Sequence, residues 1–197
     1  PAMAAGNTVV LKHSAQTPLC AEQLYKSAQK TLPKDVFNYL HLNHKDGLKI
    51  ISDTRVSFVS FTGSVKAGYE VQKATHTKFI DMALELGGKD PAYARYDCDL
   101  EKTVENLVDG SFFNSGQSCC GIERIYVDEK IYDKFLESFI SLTYNYKFGN
   151  PLKKETNLGP VVKLSAAEFI IDQMSSAIDK GAKKMIDENK FNYPKEH

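Results

Sequence analysis

The chain has 197 residues, 42% hydrophobic and 25% charged, so it can bury a core belonging to one domain or to parts of two. Lysine plus arginine and aspartate plus glutamate number 25 each, with no long run of one sign, which argues against nucleic acid or an acidic membrane surface as the main partner. No apolar stretch approaches the ~20 residues that cross a bilayer, and the opening PAMAAGNTVV lacks the basic region of a signal peptide, so no membrane partner is expected.

Small-molecule chemistry is the class that remains. The four cysteines, Cys20, Cys98, Cys119 and Cys120, include an adjacent pair and no CxxC spacing, which suits neither a disulfide framework nor a zinc site. They predict a reducing compartment, the cytoplasm. The five histidines show no metal-ligand spacing, and no metal is expected. The chain opens without Met and inside a turn before a strand, which predicts a piece of a longer polypeptide.

In chain order, NTVVLKH (7–13) reads as a buried strand. A helix follows in QTPLCAEQLYKSAQK, with Thr17 as N-cap and Pro18 at the first helical position. VFNYLHL (36–42) is a strand, DGLKII a short amphipathic stretch, and VSFVSFTGS another strand, after which Ser64 caps a helix reaching about Ala74. Next, Ile80, Met82, Leu84 and Leu86 alternate with Asp81, Ala83 and Glu85, as in a strand with one apolar face. Gly87 and Gly88 end it and permit an approach by another group that a side chain would forbid.

Beyond Gly88, Asp99 caps a helix with Leu100, Val104, Leu107, Val108 and Phe112 on one face, and the polar turn NSGQSCCG interrupts. ERIYVD is a strand, and EKIYDKFLESFISL is a helix with Ile131, Phe135, Phe139 and Leu142 inward. GNP breaks the chain at 149–151, a last helix runs from about Leu164 to Lys180 and stops at Gly181, and DENKFNYPKEH carries no recognisable element. Strands alternating with helices predict an α/β fold with a doubly wound, mostly parallel sheet, whose ligands sit at the strands' carboxyl ends.

Three stretches can carry chemistry. GQSCCG (116–121) places two thiols in a turn whose backbone N–H groups can face a sulfur or an oxygen bound to it. A free thiol of pKa ~8.5 needs such donors or a nearby base to act as a nucleophile. Glu85 beside the glycines is either a solvated outward residue or a base that activates water. FTGSVKAGYE (61–70) is a strand, a glycine turn and a helix N-terminus, a place that favours phosphate. Lys12, at the end of the first strand, is placed to meet a hydroxyl or phosphate at the same sheet edge.

Taken together, PAMAAGNTVVLKHSAQTPL, FTGS, LELGGKDP, FFNSGQSCCGIERIYV, GNPL and LGPVV resemble the aldehyde dehydrogenase superfamily in order and spacing, across nearly the whole chain. The resemblance implies NAD(P)-dependent oxidation of an aldehyde to an acid. Cys119 would be the nucleophile and Glu85 the residue that activates water against the thioester. Cys120 and Ser118 would line the substrate pocket; Lys12 would contact the adenosine ribose, Gly63 and Ser64 the pyrophosphate, and Gly87 would pass close to the nicotinamide. It further implies residues 1–86 as the later part of a coenzyme domain, 87–197 as the first part of a catalytic domain, and a homo-oligomeric full-length protein.

Ala15 occupies a position where many NAD-preferring members carry a ribose-binding glutamate, which leaves NAD or NADP open. Asn114 does not match the family's oxyanion asparagine, so that role is not carried over. A noncatalytic nucleotide-binding relative and a coenzyme A-acylating member are the alternative readings.

Overall fold

Three β-α-β units run through the chain, each joining two parallel strands by a helix. They are formed by β1 (Val9–Leu11), α1 (Pro18–Ala28) and β2 (Phe37–Tyr39), by β3 (Phe58–Gly63), α3 (Val65–Thr75) and β4 (Asp81–Leu86), and by β5 (Asp90–Ala94), α4 (Leu100–Phe112) and β6 (Ile122–Val127). Helix α2 (His44–Ser52) links the first two, and α5 (Tyr132–Thr143) and α6 (Leu164–Asp179) follow the third. The computed structural model describes residues 1–191. It divides into two units, Pro1–Leu86 and Gly87–His197.

The parallel α/β architecture expected from the alternation is present. Among the described residues its named strands pair in three two-stranded ladders, β1 with β2, β3 with β4 and β5 with β6, and an isolated parallel bridge joins Phe148 to Leu158. Parallel strands need a crossover, and each helix supplies one while covering a face of its pair.

In the first unit, Ala21 of α1 is buried, and Tyr25 packs its ring 5.2 Å from that of Tyr39 on β2. Thr17 does not cap α1 through its side chain; its Oγ1 lies 3.0 Å from His13 Nε2 instead. Pro18 does open the helix, where its missing N–H costs nothing. Ser64 caps α3 as expected, its Oγ accepting from Ala67 N at 3.2 Å. Gly68 lets α3 pack closely on β4, since a Cβ there would lie 2.9 Å from Leu86 Cδ2. Lys78 Nζ donates to the carbonyls of Ile51 and Asp53 at 2.9 and 2.6 Å, satisfying acceptors at the end of α2.

In the second unit, Asp99 caps α4 by accepting from Lys102 N, and Val104 and Val108 of that helix join Ala94 and Phe135 in the core. Leu100, Leu107, Phe112, Ile131, Phe139 and Leu142 pack around them, the inward set read from the sequence. Gly181 follows α6 with φ +97°, the left-handed stop that glycine adopts without strain. A 3-10 turn, Glu188–Lys190, lies in the tail where no element was expected, and the Phe191 ring meets Tyr144 at a tilt and Phe148 edge to face. The rest of that tail, 192–197, lies outside the described residues.

β5 was not legible in the sequence. DPAYA is short, contains a proline and has weak strand propensity, and it forms through pairing with β6. Proline near the strand start coincides with an irregularity, because Asp90 faces Ile122 while Pro91 already faces Arg124. Glu123 is the extra residue of this bulge, and its carboxylate pairs with Lys89.

Phe135, 4% exposed at the centre of the second unit's core, sets its stability. Phe135→Ala should cost about 3–5 kcal/mol by chemical denaturation. A loss below about 1 kcal/mol would place the core elsewhere.

Candidate active site

The β3–β4 register puts Glu85 beside Thr62 and Leu86 beside Gly63, so Glu85, Gly63 and Ser64 share the carboxyl edge of one parallel pair. Along β4 the exposure alternates as read from the sequence, with Met82, Leu84 and Leu86 half-buried and Asp81, Ala83 and Glu85 exposed. The Phe61 ring lies over Gly63, where an added Cβ would come within 2.6 Å of it and displace the ring. No acidic residue lies in the first turn of α3, and the Ser64 side chain satisfies Ala67 N, so the helix start is electropositive and favours an anion.

Lys12 follows β1 at the carboxyl edge of the β1–β2 pair, next to Leu11, whose carbonyl accepts from Leu40 N. Its stem lies across α2 at Gly47, where a Cβ would sit 3.6 Å from Lys12 Cδ and Cε. The first unit therefore gathers Gly63, Ser64 and Glu85 at one strand edge and orients Lys12 at another.

In the second unit the chain leaves α4 through a turn of the wrong hand. Asn114 (φ 51°, ψ 37°), Ser115 (φ 58°, ψ 34°) and Gly116 (φ 73°) are consecutive left-handed residues. Glycine and asparagine tolerate that region, but a serine there costs roughly 1–2 kcal/mol. Hydrogen bonds offset the strain. Gln117 N donates to Asn114 O at 3.1 Å, Gln117 Nε2 donates to the same carbonyl at 3.1 Å, and Asn114 Nδ2 donates back to Gln117 O at 3.1 Å. The Asn114 amide is thus engaged inside the turn.

Two further bonds reach outside it. Ser115 Oγ donates to Gly159 O at 2.7 Å, and Val162 N donates to Gln117 Oε1 at 2.8 Å.

Cys119 and Cys120 follow this turn as exposed free thiols. Ser118 Oγ and Cys120 Sγ lie 3.3 Å apart, which leaves the Cys119 sulfur as the thiol without that neighbour among the described contacts. Phe112, by contrast, belongs to the core, its ring 5.4 Å from Tyr146 and 6.3 Å from Phe139. With Phe113 and Asn114 it lines an open cleft of about 430 Å³ against Leu142 and Tyr146, apart from Ser118 and Cys120.

The room that the paired glycines provide has an occupant. Gly88 N donates to the Cys119 carbonyl at 3.2 Å, and a Cβ on Gly88 would lie 3.0 Å from that oxygen and 2.8 Å from Asp90 Oδ1. Gly87, the glycine singled out by resemblance, has nothing within 4 Å of such a Cβ. Lys89 is fixed beside them by its ion pair to Glu123 and by Arg124 Nη2, which donates to Lys89 O at 3.0 Å.

The aldehyde dehydrogenase family model matches residues 1–197. The chain belongs to the aldehyde dehydrogenase family.

Among its relatives, the lactaldehyde dehydrogenase of Methanocaldococcus jannaschii is 38% identical over 192 residues, covering 94% of this chain and 41% of that protein. The D-glyceraldehyde dehydrogenase (NADP(+)) of Picrophilus torridus is 35% identical over 188 residues, covering 94% and 38%. The crystal structure of lactaldehyde dehydrogenase from Escherichia coli superposes with a TM-score of 0.87 at 34% identity, over 96% of this chain and 41% of that one. That of an NAD-dependent aldehyde dehydrogenase from Sinorhizobium meliloti gives 0.86 at 30%, over 89% and 35%. The chain spans about two fifths of the length of the curated relatives it matches.

Sequence reasoning named the cysteine turn and the room at Gly87 and Gly88, without naming the group that needs it, but missed Gln117 and Ser115 as supports of the turn. Those two depend on residues more than 40 positions away, Gly159 and Val162.

No group of three or more His, Cys, Asp or Glu side chains is arranged for a metal among the described residues, and no described helix is long and apolar enough to cross a membrane.

Because Gly88 admits the Cys119 backbone, Gly88→Ala in the native polypeptide should change the rate at which iodoacetamide labels Cys119 by at least about fivefold. Gly87→Ala should change it less than Gly88→Ala in the same labelling assay; the reverse order would contradict the contact.

Proposed function

We propose that the complete protein oxidises an aldehyde to a carboxylic acid with NAD(P)+, Cys119 acting as nucleophile. The observation that carries this reading is the exposed Cys119 thiol on a strained, hydrogen-bonded turn in a chain of this family. Cys119 Sγ adds to the aldehyde carbonyl carbon, and the carbonyl oxygen takes up a proton to give a thiohemiacetal. When bound, NAD(P)+ supplies the hydride acceptor that turns this adduct into a thioester. Glu85 takes a proton from the water that attacks the thioester, and the acid leaves as the thiol is restored.

Lys12 would hold the adenosine ribose, and Gly63 with the start of α3 the pyrophosphate, the anion for which that helix terminus has free N–H groups. Gly87 would lie along the nicotinamide. Cys120 and Ser118 would border the substrate, and residues 1–86 and 87–197 would be portions of the coenzyme and catalytic domains. Relatives named for lactaldehyde and D-glyceraldehyde make short hydroxyaldehydes the first substrates to try. The same reading carries a homo-oligomer in the cytoplasm.

Two assays on the native polypeptide test the roles. Cys119→Ala should abolish aldehyde-dependent NAD(P)H formation, and a fully active variant would sink the assignment. Glu85→Gln should slow steady turnover while retaining a first-turnover burst; unchanged turnover would remove its role as base.

Ala15 is exposed and carries no charge. A carboxylate placed there would repel a 2′-phosphate and accept from ribose hydroxyls. Ala15→Glu should raise KM for NADP+ at least about tenfold relative to NAD+. Equal changes for both cofactors would detach this position from the ribose.

A further inference from the structure

The geometry points to Gln117 as a positioning residue for Cys119, acting by clasping the left-handed turn to residues 159–162. Its side-chain amide uses both ends. Nε2 donates to Asn114 O, across the three left-handed residues, and Oε1 accepts from Val162 N, a group 45 positions away in sequence. Ser115 Oγ makes a parallel tie to Gly159 O. Two bonds from one turn to one segment resist both sliding and rotation, which a single bond would not.

The segment that receives them is itself anchored. Phe148 pairs with Leu158 as a short parallel bridge, Asn157 Oδ1 accepts from Lys147 N at 2.6 Å, and Asn157 N donates to Lys147 O at 3.1 Å. The turn thus has a fixed wall on one side and the Gly88 N–H on the other, with Cys119 two residues beyond Gln117. Without the clasp the turn is free to relax to right-handed backbone, since nothing in its own sequence beyond Gly116 favours the left-handed region strongly. The direction of the Cys119 sulfur would then be lost while the core, built from α4, α5 and β6, remained intact.

The inference rests on the reading of Cys119 as nucleophile, and the test separates the two. In the native polypeptide, limited alkylation by iodoacetamide is followed by peptide mass spectrometry, and labelling of Cys119 is compared with that of Cys120. The parent protein should label at Cys119 in clear preference. Gln117→Met, which keeps the side chain's length and removes both hydrogen bonds, should bring the ratio at least fivefold toward unity. It should lower kcat about tenfold to a hundredfold with aldehyde KM within about twofold. Gln117→Glu keeps an oxygen opposite Val162 N and should recover part of the loss.

A preference and a kcat unchanged in Gln117→Met would overturn the positioning role. Equal losses of kcat in the two variants, with a matching fall in thermal midpoint, would assign Gln117 to stability instead. A parent protein that labels both thiols equally would remove the nucleophile assignment and the inference with it.

Discussion

The placement of Cys119 depends on one backbone contact, the approach of Gly88 to the Cys119 carbonyl, which a Cβ on Gly88, 3.0 Å from that oxygen, would crowd. Gly88 leads into β5, and β5 pairs with β6, the strand that Cys119 leads into. The contact therefore sits at the point where a parallel pair begins, and the strands hold its two sides in register. Lys89, Glu123 and Arg124 brace the same point across the bulge, with charges that are exposed and individually worth little. Their value is geometric. They fix the chain between Gly88 and Asp90 so that the close approach persists.

On the other side of the thiol, backbone strain serves the same end. A left-handed stretch that includes Ser115 would not persist in an isolated peptide, so the surrounding bonds must over-determine it. Gln117, Asn114 and Ser115 do this with side chains of a kind that usually marks a flexible loop. Here they convert a polar turn into a rigid one. The thiols then sit on a loop, where access is open, without loss of geometry.

Much of the architecture was legible in the sequence because it rests on local signals. The alternation around Glu85, the caps at Ser64 and Asp99, the inward faces of α4 and α5 and the stop at Gly181 all follow from periodicity or terminal chemistry. What was not legible was nonlocal. β5 exists through its neighbour, the Thr17 hydroxyl pairs with His13 rather than capping the helix, and the supports of Cys119 come from residues 88, 159 and 162. The doubled glycine announced that some group needed room, and resemblance directed attention to Gly87. Contact distances assign the close approach to Gly88.

The most direct test of the account is to catch the covalent intermediate. Glu85→Gln protein, mixed with aldehyde and NAD(P)+ and quenched in acid within one turnover, should yield a peptide carrying the mass of the aldehyde less two hydrogens, with fragmentation placing it on Cys119. An adduct on Cys120, or none while NAD(P)H still forms in a burst, would contradict the assignment of Cys119 as nucleophile.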